Sequence, residues 1–507
     1  MSRLAMHVEL SSHQPIEWQG DAVAVGIYDG GVAQKALAQL GERLVALVEQ
    51  ALKGGWFKGK SDEILLLPVP ADAPLQVGRI VLVGLGKPEK ITAESLRSLA
   101  GRMVDVCNRS NITSLLMLPA LEKFKEVKGV DILEAMAEGV WLADYRFDHY
   151  RSDKSELTQR ILNLVVLPVR DKISQQAATV LDHTRRVVNG VYLTRDVANQ
   201  PANRMTPEDL AQVAREVAHK HSLHVTVLDE EKLAEKGMHA LLGVGQGSCH
   251  PPRLIILEYR GAGDKAPLAV VGKAVTFDAG GISLKPAGKM HEMKYDMCGG
   301  AAVLGFMQAI ADLKAPVNVV GIIPAAENLP SGTAQRPGDI VKTAKGLFVE
   351  IQNTDAEGRL ILCDAIHYAE HFNPHTIIDL ATLTGACGIA LGSHASGLFV
   401  NNQRLCDALL EAGRHTGERL WQLPMFDEYQ AVLKTPAADL RNIGDGQAGA
   451  IIGACFLSRF VGENRRWAHL DIAATSFDLE GKRSYSPKGA TGIGVRLLCR
   501  FVLENFS

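Results

Sequence analysis

The sequence has few cysteines, no excess of either charge and no long hydrophobic run. Each absence removes a class of protein. Eight cysteines are scattered through 507 residues, with no C-x-x-C pair among them. Thiolate zinc sites use closely spaced cysteine pairs, so such a site is disfavoured. A chain this long also has no need of a disulfide framework, and its cysteines are expected to be mostly buried free thiols in a reducing compartment. Basic and acidic side chains nearly cancel, 54 against 57, for a net charge of −3. Proteins that bind nucleic acid mainly by neutralising phosphates are usually clearly basic, so that role is not indicated as the main one. A local basic patch remains compatible with the charge count. The longest nearly uninterrupted apolar stretch, residues 448–457, is about half as long as a membrane span. The N-terminal MSRLAMHVELSSHQPIEW lacks the apolar core of a secretory signal. The chain therefore reads as cytoplasmic, with no membrane partner.

What is present is a 47% apolar composition, which is that of a packed globular protein. Length alone allows about two to four domains. In the first third, apolar runs at residues 64–67, 80–83, 115–118 and 162–167 read as buried strands, with an amphipathic helix at 93–106. That alternation predicts an α/β unit. Gly84-Leu85-Gly86 begins like a dinucleotide fingerprint, but Pro88 and Glu89 follow where helix and a third glycine are needed. Residues 173–198 have a helical period and few breakers, which predicts a long helix joining two domains. Thr206-Pro207-Glu208-Asp209 then carries an N-cap with proline at the first helical position. The later part has stronger strands at residues 254–257, 268–271, 317–323, 348–351 and 376–380. Continuous apolar runs of this kind suit a largely parallel sheet covered by helices on both faces. The expected organisation is an N-terminal α/β domain at 1–172, a linker helix at 173–198 and a catalytic domain at 199–507.

Ligands in open α/β sheets sit beyond the carboxyl ends of the strands. Those ends carry Asp278, Asp296, and the pair Asp355 and Glu357, with Lys273, Lys285 and Arg359 among them. Singly, each acid is as well explained by a helix cap or a solvated loop. Together, four converging carboxylates cannot all stay ionised without cations. Hard oxygen ligands without cysteine suit Mg²⁺, Mn²⁺ or Zn²⁺, and four are enough to bridge two metals.

These residues lie in motifs that resemble the leucine aminopeptidase, or cytosol aminopeptidase, family of dinuclear metallopeptidases. NTDAEGRL at 353–360 is similar to its signature, and GKAVTFDAGGISLKP at 272–286 and MKYDMCGGAAV at 293–303 to its other site motifs. The likeness continues through ATLTGA at 381–386 and WAHLDIA at 467–473, and covers the chain from about Asp196 onward. In the first third it extends only to α/β character. The resemblance implies that Lys273, Asp278, Asp296 and Glu357 hold one divalent ion and that Asp278, Asp355 and Glu357 hold the other, Mn²⁺ or Zn²⁺. It makes Lys285 the catalytic lysine, and gives Arg359 a bicarbonate ion that acts as general base, with backbone N–H groups at Gly358 and Leu383 completing the cradle. Lys273 must be neutral to coordinate, so metal affinity is expected to fall at low pH. Met293, Thr382, Gly385 and Ala474 match the first specificity pocket, where small apolar walls favour Leu-like side chains; packing explains each equally well. The implied substrates are peptides with a free N-terminus, and the implied assembly is a homohexamer. The sequence departs from the family pattern at Ala274, commonly glycine, at Ala279, commonly serine or threonine, and at Gly300, usually alanine.

Competing signals remain. His367-Tyr368-Ala369-Glu370-His371 is a literal H-x-x-E-H, the inverted zincin pattern, but it is expected at the solvated end of its helix. His469 is expected to be a satisfied core histidine, and Cys298 to pack. A two-metal phosphoesterase and a non-catalytic binding protein are the alternative functional classes.

Overall fold

The structure, a computed structural model, describes residues 4–12, 14–29, 40–70, 72–118, 129–153, 161–168 and 174–506. The chain divides into two compact units. One comprises Ser2–Val188 with Gly481–Pro487, and the other Asn189–Glu480 with Lys488–Ser507. The expected boundary at 172/173 lies outside the described residues. The helix expected from residue 173 onward runs Ser174–Ala198, and the division between units falls inside it.

The first unit is built on a six-stranded sheet in the order His7–Ser11, Leu164–Pro168, Ser114–Leu118, Ala22–Tyr28, Arg79–Gly86, Ile64–Pro68. Its pairings are parallel except at the Ile64–Pro68 edge. Val23, Val25, Ile27, Ile80 and Leu82 form its core with Leu44 and Val48 of the helix Glu42–Lys53. After Gly86 the chain forms a short 3-10 turn, Pro88–Lys90, and then Thr92 caps the helix Ala93–Arg109. No glycine-rich phosphate turn opens that helix.

The second unit holds a nine-stranded mixed sheet, largely parallel at its centre. Its path runs Leu420–Gln422, Ser396–Val400, Arg466–Asp471, Thr376–Ala381, Leu268–Gly272, Asn318–Asn328, Arg253–Arg260, His224–Leu228, and Ala274–Asp278 pairs beside Asn318–Asn328. The helices Cys298–Leu313 and Gly358–Ala369 are buried on nearly every side through Ile310 and Ile366, because each packs on the sheet and is covered in turn by other helices. Thr206 caps the helix Pro207–His221 with proline at its start, as the sequence predicts.

One strand expectation needs correction. Residues 348–351 do not join the main sheet. Phe348–Glu350 belongs to a separate three-stranded sheet with Ile340–Lys342 and Leu440–Arg441. Only Val349 of that strand is fully buried; an apolar run by itself does not distinguish a two-sided central strand from a short one-sided strand. No helix among the described residues is long and apolar enough to cross a membrane. All eight cysteines are free, and all but Cys249 are buried.

Candidate metal centre

Lys273 sits where the chain changes its course through the sheet. Leu268–Gly272 pairs with residues 319–322 of the long central strand, and Ala274–Asp278 pairs farther along the same strand. Lys273 fills the break between them, its N–H donating to Leu380 O (3.0 Å) and its carbonyl accepting from Gly300 N (2.7 Å). Its side chain is buried. Nζ donates to Asp296 Oδ1, to Glu357 Oε1 and to Thr382 O, each at 2.8 Å. Close approach makes glycine necessary at 358, because a Cβ there would lie 2.6 Å from Lys273 Cε.

The acids arrive from three other places. Asp278 ends its strand. Asp296 lies in the 3-10 segment Met290–Met297, which runs into the helix Cys298–Leu313. Glu357 stands at the N-terminus of the helix Gly358–Ala369. Asp278, Asp296 and Glu357 are all buried and present carboxylate oxygens within 4.8 Å of one another. Asp355 joins through Lys285, whose Nζ pairs with Asp355 and, at 2.8 Å, with Asp278 Oδ2. Asp296 Oδ2 is buried with no hydrogen-bond partner. A buried orphan oxygen in a ring of carboxylates fits a divalent cation, since such an atom is otherwise costly to desolvate.

The electrostatics carry the same signature. Burial pushes the Asp278 carboxyl up to about 6, with Glu357 reinforcing the shift. Burial also raises Asp296 well above the carboxylate range, despite Lys273, and raises Asp355 against the pull of Lys285. For Glu357 burial is outweighed by Lys273 and Lys285, which hold its carboxyl below the usual range. Burial works against both ammonium groups too. Asp296 and Glu357 outweigh it at Lys273, and Asp278 and Glu357 outweigh it at Lys285, so both lie above the usual lysine range. Perturbation of this density marks functional clefts.

Arg359 follows at the start of the buried helix. Its Nη1 donates to Asn442 O (2.7 Å), and its Nε is buried without a partner. Burial lowers the guanidinium to about 10, so it stays charged at neutral pH and offers an unused donor to a small anion. The Leu383 N–H, by contrast, is directed at Asp471 Oδ1 (3.2 Å). Of the residues matched to the specificity pocket, Thr382 touches the acids: its hydroxyl donates to Asp296 Oδ1 (2.7 Å). Met293 is half-buried, Gly385 exposed, and Ala474 packs where a Cβ on Gly388 would lie 3.0 Å from it.

The competing signals stay apart from this cluster. His371 is exposed, and Glu370 binds Gly462 N and Arg465 instead. His469 is fully buried with Nδ1 2.5 Å from Asp379 Oδ1. Cys298 is buried. Two residues escaped the sequence reading. Asn328 Nδ2 donates to Asp278 Oδ1 (2.8 Å) and to Thr354 O (3.1 Å). Asn442 joins the Arg359 region to the 352–353 turn, through Oδ1 to Gln352 N (2.8 Å) and Nδ2 to Asn353 O (2.7 Å). The sequence signal for Asn328 is a polar residue ending a buried strand, five residues beyond the apolar run at 317–323.

Ala274 and Gly300, the two positions expected to differ from the family motifs in opposite senses, face each other in space. A Cβ on Gly300 would lie 2.7 Å from the Ala274 Cβ and 2.6 Å from Ile323 Cγ2. The methyl carried by Ala274 thus takes the room that Gly300 leaves. Gly300→Ala alone is expected to destabilise the fold by about 1–3 kcal/mol through overpacking. Adding Ala274→Gly in the same chain should recover part of that loss. Urea unfolding of the two single variants and the double variant measures the coupling, and additive effects would disprove the exchange.

Two family models match this chain. The catalytic domain of the cytosol aminopeptidase family spans residues 192–499, and the N-terminal domain of the same family spans 24–154. The second match extends the relationship into the region where the sequence motifs are silent. A probable cytosol aminopeptidase of Geobacter sp. is 45% identical over 98% of this chain and 99% of its own. One of Azotobacter vinelandii is 45% identical over 98% and 99%. Among solved structures, a tomato leucine aminopeptidase mutant aligns with a TM-score of 0.89 at 33% identity, covering 100% of this chain and 98% of that one. The bottromycin maturation enzyme BotP in complex with Mn aligns with a TM-score of 0.84 at 33% identity, covering 96% and 99%.

Proposed function

The chain belongs to the cytosol aminopeptidase family of metal-dependent aminopeptidases, and from that premise we propose which residues perform the reaction. Lys273, as a neutral amine, with Asp278, Asp296 and Glu357 would hold one divalent ion, and Asp278, Asp355 and Glu357 would hold a second. The observation that carries this is the buried triad Asp278, Asp296 and Glu357, with the free oxygen of Asp296. When bound, two such ions supply an activated water and polarise the scissile carbonyl.

The chain's own residues do the rest. Lys285 stays protonated beside Asp278 and Asp355, and its ammonium stabilises negative charge developing on the substrate carbonyl oxygen. Arg359 holds bicarbonate through its unused Nε, the planar fork matching a planar anion. The Leu383 N–H, engaged by Asp471, contributes less to that cradle than the sequence implies. Met293, Gly385 and Ala474 border the side-chain pocket and favour Leu-like residues. The ions are Mn²⁺ or Zn²⁺, the substrates are peptides with a free N-terminus, and the assembly is a homohexamer.

Purified protein is expected to release p-nitroaniline from Leu-p-nitroanilide. A chelator should abolish that activity, and Mn²⁺ or Zn²⁺ should restore it. Hydrolysis of a phosphodiester without release from the anilide would overturn the assignment in favour of a phosphoesterase.

A further inference from the structure

Two of the deeply buried acids in the site, Asp278 and Asp296, each have one oxygen held by two donors. Asp278 Oδ1 accepts from Gly280 N (2.9 Å) and Asn328 Nδ2 (2.8 Å). Asp296 Oδ1 accepts from Lys273 Nζ (2.8 Å) and Thr382 Oγ1 (2.7 Å), which leaves Oδ2 buried and unpartnered. A threonine hydroxyl has one proton to give. Asp296 O lies 3.1 Å from it and Oδ1 only 2.7 Å, so the proton goes to the charged oxygen, where the bond is stronger.

Thr382 also acts through its backbone. Lys273 Nζ reaches three acceptors, Asp296 Oδ1, Glu357 Oε1 and Thr382 O; as a neutral ligand amine it would keep two N–H groups to donate. Thr382 O alone among the acceptors lies outside the proposed ligand set. The fold puts it there for a simple reason. Thr382 directly follows the strand Thr376–Ala381, which runs parallel to Leu268–Gly272 with Leu380 opposite Gly272. The two strands therefore deliver Thr382 and Lys273 side by side. Thr384 anchors the turn beyond, with its hydroxyl on Asp471 Oδ2 (2.6 Å).

We propose that Thr382 is a positioning residue for the metal centre: its hydroxyl fixes which oxygen of Asp296 faces the ion, and its carbonyl fixes Lys273. This rests on the reading of Lys273 and Asp296 as ligands of one ion. It assigns Thr382 a role distinct from the side-chain pocket to which the sequence matched it. Groups that orient metal ligands from behind typically contribute 10–100-fold to metal affinity.

The test uses the full-length protein, stripped of metal and titrated with Mn²⁺ or Zn²⁺ by calorimetry, with bound metal counted by elemental analysis. Thr382→Val keeps the side-chain shape and removes the hydroxyl; Thr382→Ser keeps the hydroxyl and removes the methyl. In Thr382→Val one of the two ions should bind about 10–100-fold more weakly, with the other little changed. Thr382→Ser should bind both nearly as wild type does. The metal-free melting temperature should be similar in all three proteins. Wild-type affinity for both ions in Thr382→Val, with changed KM or side-chain preference only, would overturn the proposal and return Thr382 to the pocket wall. Equal weakening in both variants, with a lowered metal-free melting temperature, would also overturn it, as a packing effect. Failure of wild type itself to bind two ions would instead sink the metal assignment on which the proposal rests.

Discussion

Lys285→Ala is expected to lower kcat on Leu-p-nitroanilide by about 10²–10³-fold, the typical loss when one oxyanion donor is removed. KM should change little and both metal ions should remain. The reasoning begins with charge. Burial disfavours the ammonium, but Asp278 and Glu357 outweigh it and raise Lys285 above the usual lysine range; in the proposed mechanism it stays charged. A lysine held in that state cannot serve as a general base. It can stabilise negative charge that appears only on the way to the tetrahedral intermediate, which lowers the barrier without tightening the ground-state complex. Lys285 is also less enclosed than Lys273, with side-chain exposures of 21% and 3%, so it is the cation that substrate can reach. Steady-state kinetics with elemental analysis of the same preparation checks the prediction. Loss of both ions in the variant would make Lys285 structural, and full turnover would remove it from the mechanism.

Asp364→Ala is expected to destabilise the protein by about 3–5 kcal/mol, because buried donors left unpaired cost about 1–3 kcal/mol each. Asp364 is fully buried on the helix Gly358–Ala369. Its Oδ2 accepts from Ala240 N and Leu241 N (both 3.0 Å), and its Oδ1 from Ala344 N (2.8 Å). The first two donors open the helix His239–Gly245, whose own N-cap, Met238, supplies no side-chain bond. Asp364 therefore caps that helix from more than a hundred residues away, and ties it to the helix Gly358–Ala369. Burial pushes its carboxyl up from 3.8 to about 7, against the pull of the three N–H donors. The sign of the linkage follows from that direction. The folded state holds the proton more tightly than the unfolded chain, so this group favours folding most at low pH. Its contribution falls as pH rises from about 4 to about 7 and is flat above. Urea unfolding of metal-free protein across that range, wild type against Asp364→Asn, should show a steeper slope in wild type, the slope left in the variant coming from Asp278, Asp296 and Asp355, whose carboxyls are also raised. A variant as stable as wild type would show that water satisfies the three donors.

Much of the site is legible in the residues themselves. Asp278, Asp296, Asp355 and Glu357 stand at strand ends and helix starts, and that placement follows from local pattern alone. The likeness to a known family added Lys273, because no spacing rule calls for a lysine among metal ligands. The central strands at 268–271 and 376–380 are readable because buried parallel strands are continuous apolar runs; 254–257 is as apolar, though antiparallel to both its neighbours. The same rule failed at 348–351, where a short run lies in a small separate sheet.

The sequence by itself determined the kinds of chemistry available: oxygen and amine ligands, no thiolates, an arginine beside them, and an α/β framework that presents them at strand ends. Tertiary structure alone decided how those groups are held. Asn328 on Asp278, Thr382 on Asp296 and Lys273, and Asp364 on a distant helix are contacts between residues 50, 86, 109 and 124 positions apart. The close approach of Ala274 to Gly300 is likewise visible only where two elements touch. Local patterns report periodicity and capping over a few residues, whereas hydrogen bonds and close packing depend on distances that exist only once the sheet has brought its strands into register.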